Sequence, residues 1–227
     1  MREHIFYGRR QGRRMTVLRE DALQNDLPKF LVDCPEDIPA HTLDPMSLFD
    51  GMDVDEIWLE IGFGNGEHLA EQAKKHPNIG MIGCEPFMNG VSKLLTSIEE
   101  EKLSNIRIFP DDARLLMDGL TKDSLSRCFV LHPDPWPKKR HQKRRFIQTE
   151  RLDKFAELMK KGSELRLATD DADLADWMLE KAYNHSDFEW QANSADDWRI
   201  RPDDWPETRY GQKQLAGQPV YFKFLKL

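Results

Sequence analysis

The chain has 227 residues, of which 39% are hydrophobic and 32% are charged, and its formal net charge is −7. This length supports one sizeable core and is too short for two ordinary domains. The composition excludes a disordered protein, and no apolar run is long enough to span a bilayer. The N-terminal MREHIFYGRR also lacks the apolar core of a signal peptide.

Three cysteines, Cys34, Cys84 and Cys128, are odd in number and lack metal-ligand spacing. This usage is typical of reduced thiols inside a cytoplasmic protein, and it predicts neither a disulfide framework nor a metal site.

Positive charge is concentrated in two short segments of this acidic chain. Residues 1–20 carry +4 and residues 138–145 carry +6, so subtracting both from −7 leaves −17 on the remainder. Either segment alone is equally well explained as a solvated charged surface. Together, on an acidic body, they favour a specific face that binds nucleic acid.

Residues 1–55 are predicted to form a basic arm, a short helix and a linker. MTVLREDALQNDLPKFL carries apolar residues at helical spacing, and the acidic connector DCPEDIPAHTLDPMSLFDGMDVD, punctuated by prolines, follows it. The arm's arginines could fold over the same face as the second basic segment, or the arm could be a disordered tail. The sequence favours neither.

Short apolar strands alternate with helical segments from residue 56 onward, so residues 56–227 are predicted to form one domain that follows the arm and linker. Two of the helices are GEHLAEQAKKH, ended by Pro77, and RRFIQTERLDKFAELMKK, ended by Gly162. The alternation predicts an α/β, doubly wound Rossmann-like fold with a mostly parallel sheet, which binds ligands at the carboxyl ends of its strands. Seven strands are predicted: 56–62, 79–85, 105–110, 127–132, 164–169, 188–193 and 220–227.

The first predicted strand ends in LEIGFGNGEHL, where Gly62, Gly64 and Gly66 allow close approach of a ligand to the backbone. Dinucleotide sites prefer G-x-G-x-x-G. Glu60 would repel a pyrophosphate but suits a cationic ligand. The alternative is a tight strand-to-helix turn without a ligand.

Acidic residues follow the next two strands. Glu85 lies about twenty residues beyond the glycine loop, where an open α/β sheet places an acid for ribose hydroxyls. Asp112 is predicted to accept from an adenine amine, although Asp111 and Asp112 could equally cap a helix. This set describes a site for a positively charged nucleoside without phosphate, and S-adenosyl-L-methionine fits.

The motifs EIGFGNGEHL, GCEP, HPDPWPKKRHQKRR, LATD and TRY together resemble the bacterial tRNA (guanine-N7-)-methyltransferases. The resemblance extends over most of the chain, and the proline-rich loop is its most specific part. It implies a class I methyltransferase fold with an antiparallel C-terminal strand. It also implies methylation of guanosine N7 in the variable loop of tRNA. Monomer and homodimer both stay open, and no obligate protein partner is implied.

The proline-rich loop follows the fourth predicted strand. His132, Asp134 and Trp136 each precede a proline, which predicts extended backbone at all three positions and a stiff loop. Asp134 is predicted to lie against the cofactor, to hold the guanine edge and to stabilise positive charge, because N7 carries no proton to remove. The basic residues that follow are predicted to bind RNA phosphates: Lys138, Lys139, Arg140, Lys143, Arg144 and Arg145.

The resemblance assigns further substrate-binding residues. Asp170 occupies the family's aspartate position, with a helix N-cap as the alternative. Thr208, Arg209 and Tyr210 match the family's T-[RK]-[YF]-E segment, in which Gly211 stands where glutamate is usual. A neighbour such as Glu207 could replace that carboxylate.

Three other functions stay open on the sequence alone. They are a nicotinamide-dependent oxidoreductase, which the glycine spacing and Glu60 disfavour, a non-catalytic RNA-binding protein, and a methyltransferase that acts on another nucleic-acid atom.

Overall fold

The structure is a computed structural model that describes residues 7–35, 38–206 and 216–227. Seven strands form one mixed sheet in the order β3-β2-β1-β4-β5-β7-β6. The described strands are β1 (Glu56–Ile61), β2 (Ile79–Cys84), β3 (Ile106–Phe109), β4 (Leu125–Leu131), β5 (Met159–Thr169), β6 (Phe188–Trp190) and β7 (Val220–Lys226).

The described helices are α1 (Val17–Asn25), α2 (Leu27–Phe30), α3 (Glu67–Lys75), α4 (Met88–Glu101), α5 (Ala113–Gly119), α6 (Thr149–Leu158), α7 (Ala172–Tyr183) and α8 (Asp196–Arg199). Short 3-10 helices cover Pro45–Phe49 and Lys139–Arg144. None of these described helices is long and apolar enough to cross a membrane.

The chain divides into two compact units, residues 1–124 and 125–227. In the first unit, β1, β2 and β3 pair in parallel, and five of the six residues of β1 are buried. Near-continuous apolar strands of this kind are typical of parallel sheets that helices cover on both faces. The linker packs into this unit, because Val32 N–H donates to the carbonyl of Ile108 on β3 and Leu43 N–H donates to that of Gly119.

In the second unit, β4 and β5 are parallel, whereas β7 is antiparallel to both β5 and β6. The strand positions, the doubly wound pattern and the antiparallel C-terminal strand confirm the fold predicted from the sequence.

The helix predicted over residues 144–161 is wrong at both ends. The 3-10 helix ends at Arg144, residues 145–148 are irregular, and α6 ends at Leu158, where β5 begins without a loop. Met159 pairs with Leu125, and the register shifts before Glu164 pairs with Arg127. Gly162, with φ +80°, therefore lies in a bulge of β5 rather than at a helix end.

Candidate active site

The glycine loop follows β1 in the first unit and has a backbone that favours glycine. Gly62, Gly64 and Gly66 have φ values of +71°, +57° and +80°. A Cβ atom added at Gly62 or Gly64 would meet nothing within 4 Å, so open space borders the backbone at both positions. At Gly66 the same atom would lie 2.7 Å from the Leu94 side chain. The loop thus has one side packed on α4 and another side open to a ligand.

The first turn of α4 comes even closer to this loop. A Cβ atom at Gly90 would lie 1.9 Å from the carbonyl oxygen of Gly64. Only a residue without a side chain fits between the helix and the loop, so Gly90 sets how closely the two backbones approach.

Glu85 holds the glycine loop and the start of α4 together. Its side chain is 8% exposed. One carboxylate oxygen accepts from Gly64 N–H at 2.7 Å, and the other accepts from Phe87 N–H at 2.9 Å. A carboxylate has about four lone-pair sites and can accept from more than two donors. The predicted ribose role stays a prediction, and the structure adds a second role, that of shaping the loop.

Glu60 lies beneath the loop in a buried polar cluster that the sequence did not reveal. Its carboxylate is 2.7 Å from Nδ1 of His68, whose Nε2 is 3.3 Å from the amide nitrogen of Gln72. All three side chains are buried. His68 and Gln72 lie one helical turn apart on α3, and that spacing is the only sequence signal for the cluster. The predicted contact of Glu60 with a cofactor remains a prediction.

Asp112 caps α5, as the alternative for this residue expected. Its carboxylate accepts from Arg114 N–H at 3.0 Å and pairs with the Arg114 guanidinium. The side chain is largely buried, and the adenine contact stays a prediction. Asp111 beside it accepts from Arg10 at 2.5 Å.

The arm makes defined contacts in the first unit. Met88 N–H donates to the carbonyl of Arg10 at 2.9 Å. The side chain of Asn89 accepts from Gly12 N–H and donates to the carbonyl of Arg13, both at 2.8 Å. Residues 10–13 therefore dock on the first turn of α4, beside the residues that Glu85 holds.

The proline-rich loop of the second unit begins where His132 N–H donates to the carbonyl of Ala168, at 2.7 Å. His132 and Trp136 have φ values of +49° and +45°, so the extended backbone predicted for them is wrong. Left-handed backbone at a residue other than glycine costs about 1–3 kcal/mol and persists only where the surroundings impose it. Contacts elsewhere in the fold therefore outweigh the preference for extended backbone that a following proline imposes.

Two of those contacts are made by the Trp136 ring. The Arg144 guanidinium lies over it at 5.0 Å, and the His141 ring meets it edge-on at 5.9 Å. The neighbouring Asp134 is exposed.

The residues of the basic segment differ in their exposure. Lys138, Lys139, Arg140 and Lys143 are exposed, as phosphate-binding residues must be. Arg144 stacks on Trp136 and is only partly exposed.

Arg145 requires a correction, because it is 2% exposed. Its guanidinium pairs with the carboxylate of Asp173 and donates to the carbonyl of Pro135. A side chain enclosed in this way is not available to an RNA phosphate.

Asp170 follows β5 and is buried. The N-cap of α7 is the next residue, Asp171, so the capping alternative for Asp170 is wrong. Asp170 instead accepts from Ala216 N–H at 3.1 Å and lies 3.6 Å from Nδ1 of His132. Burial lowers the pKa of His132, while the Asp170 carboxylate acts in the opposite direction.

Thr208, Arg209, Tyr210 and Gly211 lie outside the described residues, as does Glu207. The residues that flank this segment are described. Trp205 is buried against Ala168 and Tyr221, and Arg166 pairs with Asp204 at 2.6 Å. Together with the bond from Ala216 to Asp170, these contacts hold both flanks of the segment against β5 or its carboxyl end.

Comparison with known proteins identifies the family. The model of a family described as "Putative methyltransferase" matches residues 55–223. A tRNA (guanine-N(7)-)-methyltransferase of Rhodospirillum rubrum is 47% identical over 96% of this chain and 86% of its own length. One of Agrobacterium fabrum is 44% identical over 97% and 94% of the two chains.

The chain belongs to the tRNA (guanine-N(7)-)-methyltransferase family.

Solved structures agree on the fold of this family member. An rRNA methylase of Streptococcus thermophilus matches with a TM-score of 0.53 and 15% identity, over 81% of this chain and 93% of that one. A Streptococcus mutans protein described as "a putative methyltransferase", solved in complex with SAH, matches with a TM-score of 0.50 and 12% identity, over 78% of this chain and 91% of that one. These likenesses confirm the class I methyltransferase fold.

Proposed function

We propose that this enzyme transfers the methyl group of S-adenosyl-L-methionine to N7 of a guanosine in the variable loop of tRNA, giving 7-methylguanosine. The observation that carries the proposal is the identity of up to 47%, over nearly the whole chain, to relatives named tRNA (guanine-N(7)-)-methyltransferase. The site chemistry supports it independently in each of the two units.

The first unit fits the cofactor. The glycine loop has open space beside Gly62 and Gly64, which is room that a Cβ atom at either position would fill. Glu85 and Asp112 would hold the ribose and the adenine, and Glu60 would supply negative charge for the cationic methionine portion. Bound there, S-adenosyl-L-methionine supplies a methyl group activated by a sulfonium.

Methylation of guanine N7 requires that the guanine be oriented, and it requires no proton acceptor. Guanine N7 carries an in-plane lone pair and no proton at neutral pH, so Asp134 has no proton to abstract. Its carboxylate would hold the guanine edge and favour the positive charge that develops on the ring. The stiff proline-rich loop would set the position of that carboxylate. This position matters, because a displacement of about 1 Å can lower the rate by about 100-fold.

The second unit offers groups for the RNA. Lys138, Lys139, Arg140 and Lys143 are exposed cations next to the loop that carries Asp134. Asp170 and the segment from Thr208 to Gly211 would contact the substrate, as the family resemblance implies. A target base must also leave its stack to be methylated, and backbone contacts help to offset that cost.

The test is mass spectrometry of nucleosides from unmodified tRNA incubated with the enzyme and S-adenosyl-L-methionine. We expect 7-methylguanosine, and we expect it to disappear when the variable-loop guanosine is replaced by adenosine. A different methylated nucleoside would overturn the proposal. Persistence of 7-methylguanosine in the altered tRNA would overturn the variable-loop assignment.

A further inference from the structure

Arg145 is a buried cation in a segment otherwise dominated by exposed ones. Its guanidinium makes three kinds of contact: a hydrogen bond from Nε to the carbonyl of Pro135 at 2.8 Å, an ion pair with Asp173, and a stack over the Trp177 ring at 5.1 Å. Asp173 and Trp177 belong to α7, whereas Pro135 belongs to the proline-rich loop. The side chain therefore joins this loop to α7.

The loop has an unusual need for such a contact. Pro133, Pro135 and Pro137 have no N–H, so over residues 133–137 only Asp134 and Trp136 carry backbone donors. The loop must therefore be held mainly through its carbonyl groups and its side chains. The Pro135 carbonyl, directly after Asp134, accepts from a donor whose own position is set by a helix.

The loop is also strained at both ends. The left-handed φ values of His132 and Trp136 require surroundings that impose them. Arg144 stacks on Trp136, and Arg145 fixes the peptide oxygen one residue before it. Neighbouring arginines thus hold the ring and the backbone of the same short stretch.

Arg145 is itself positioned by several groups. Its own N–H donates to the carbonyl of Gln142, and the Gln148 side chain donates to the carbonyls of Gln142 and Arg145. On the α7 side, the Trp177 ring that it covers is fixed by a hydrogen bond from Nε1 to the carbonyl of Ile147 at 2.8 Å. A planar guanidinium holds its fork of donors in a fixed geometry towards a carbonyl and a carboxylate, whereas a lysine ammonium is a compact charge at the end of a flexible chain.

We infer that Arg145 is a positioning residue, which holds the Asp134 loop against α7 so that the carboxylate meets the guanine in the reactive geometry. The inference rests on the proposed function, because it takes Asp134 as the group that orients the base. It separates Arg145 from the exposed cations beside it, whose role is to bind RNA.

The experiment measures single-turnover methylation at saturating tRNA and cofactor, together with the tRNA Kd at several salt concentrations. Arg145→Gln should lower the rate by about 10- to 100-fold, the scale of a misplaced catalytic group, while the tRNA Kd and its salt dependence stay near those of the wild type. The rate of Arg145→Lys should lie between the rates of the wild type and of Arg145→Gln. Arg140→Gln should instead raise the tRNA Kd and flatten its salt dependence.

A matched control is Lys181→Gln, which removes another cation over the same Trp177 ring, at 4.9 Å, and should keep the wild-type rate. If Arg145→Gln does not fold, as judged by circular dichroism, Asp173→Asn removes the charge that Arg145 pairs with. It should lower the same rate without changing the tRNA Kd.

A double-mutant cycle with Asp134→Asn separates positioning from a general loss of structure. If Arg145 acts through Asp134, the double variant should be little slower than the slower single variant. Additive effects on the rate would overturn the inference, as would an unchanged rate or a tRNA Kd that rises with a flatter salt dependence. The wild-type enzyme must first be shown to form 7-methylguanosine. If it does not, that result overturns the proposed function and not the role of Arg145.

Discussion

At the scale of single residues, Glu85 and Asp112 each combine a structural contact with a predicted ligand contact. Glu85 shapes the glycine loop through Gly64 N–H, and Asp112 caps α5. A substitution at such a residue therefore tests the scaffold and the site together, and the two effects must be separated by the choice of replacement.

Glu85→Ala should weaken binding of S-adenosylhomocysteine by about 1.5–3 kcal/mol, the scale of charge-assisted hydrogen bonds. Calorimetric titration measures this. Glu85→Gln is the intermediate variant, because its amide oxygen can still accept from Gly64 N–H while its amide nitrogen cannot accept from Phe87 N–H. Equal affinity in the wild type and Glu85→Ala would place the ribose site elsewhere.

At the scale of elements, the packing of α4 on the glycine loop depends on the absence of a side chain at Gly90. Glycine inside a helix usually costs about 1 kcal/mol relative to alanine, so Gly→Ala there ordinarily stabilises. A Cβ atom 1.9 Å from the Gly64 carbonyl oxygen reverses this sign, because helix and loop must move apart.

We therefore expect Gly90→Ala to lower the free energy of unfolding by about 1–3 kcal/mol, the usual range for overpacking. Urea denaturation measures this, and S-adenosylhomocysteine affinity should fall in parallel. Ser97→Ala, on the same helix, is the control and should change stability little. A more stable Gly90→Ala enzyme with full cofactor affinity would contradict the close approach.

The junction of β4 with the proline-rich loop predicts a pH dependence. The pKa of His132 is lowered by burial, so the unfolded chain binds the proton more readily than the folded one. Its contribution to stability is thus present above the ordinary histidine pKa of about 6.5 and is lost as pH falls towards the lowered folded value.

His132→Asn removes the titration and keeps a residue type that tolerates left-handed backbone. Between pH 7.5 and 5.5, we expect the free energy of unfolding to fall more in the wild type than in this variant, as measured by denaturant unfolding at each pH. Parallel curves would show that His132 does not titrate differently in the two states.

At the scale of the whole molecule, we expect the charge distribution to separate RNA binding from cofactor binding. An acidic chain of net charge −7 carries +6 within residues 138–145, and four of those six cations are exposed. The cofactor has no phosphate for them to hold, so their effect should be on tRNA alone.

Changing Lys138, Lys139, Arg140 and Lys143 to Gln should lower tRNA affinity and flatten the dependence of log K on log salt by roughly 0.7–0.9 for each phosphate that is no longer neutralised. S-adenosylhomocysteine affinity should not change. The matched control changes four other exposed lysines, Lys102, Lys122, Lys160 and Lys161, to Gln, which alters net charge equally. If the two sets of substitutions lower tRNA affinity equally, the basic segment acts only through the net charge of the protein.

Local sequence signals were sufficient to predict the strands, their mostly parallel order and the glycine loop, because hydrophobic period and glycine placement are properties of short stretches of chain. They also predicted that Glu85 and Asp112 directly follow strands, because the hydrophobic pattern shows where each strand ends. The family followed from five motifs together, of which the proline-rich loop is the most specific.

Which members of the basic segment are exposed depends instead on how the chain packs. Arg144 and Arg145 are adjacent and alike in sequence, yet one stacks on Trp136 and the other is buried against Asp173, 28 residues later. The left-handed backbone at His132 was likewise hidden, because proline sterics predict the opposite. Both features have the same cause. Burial and ion pairing come from residues distant in the chain, and they outweigh preferences of about 1–3 kcal/mol that local sequence expresses.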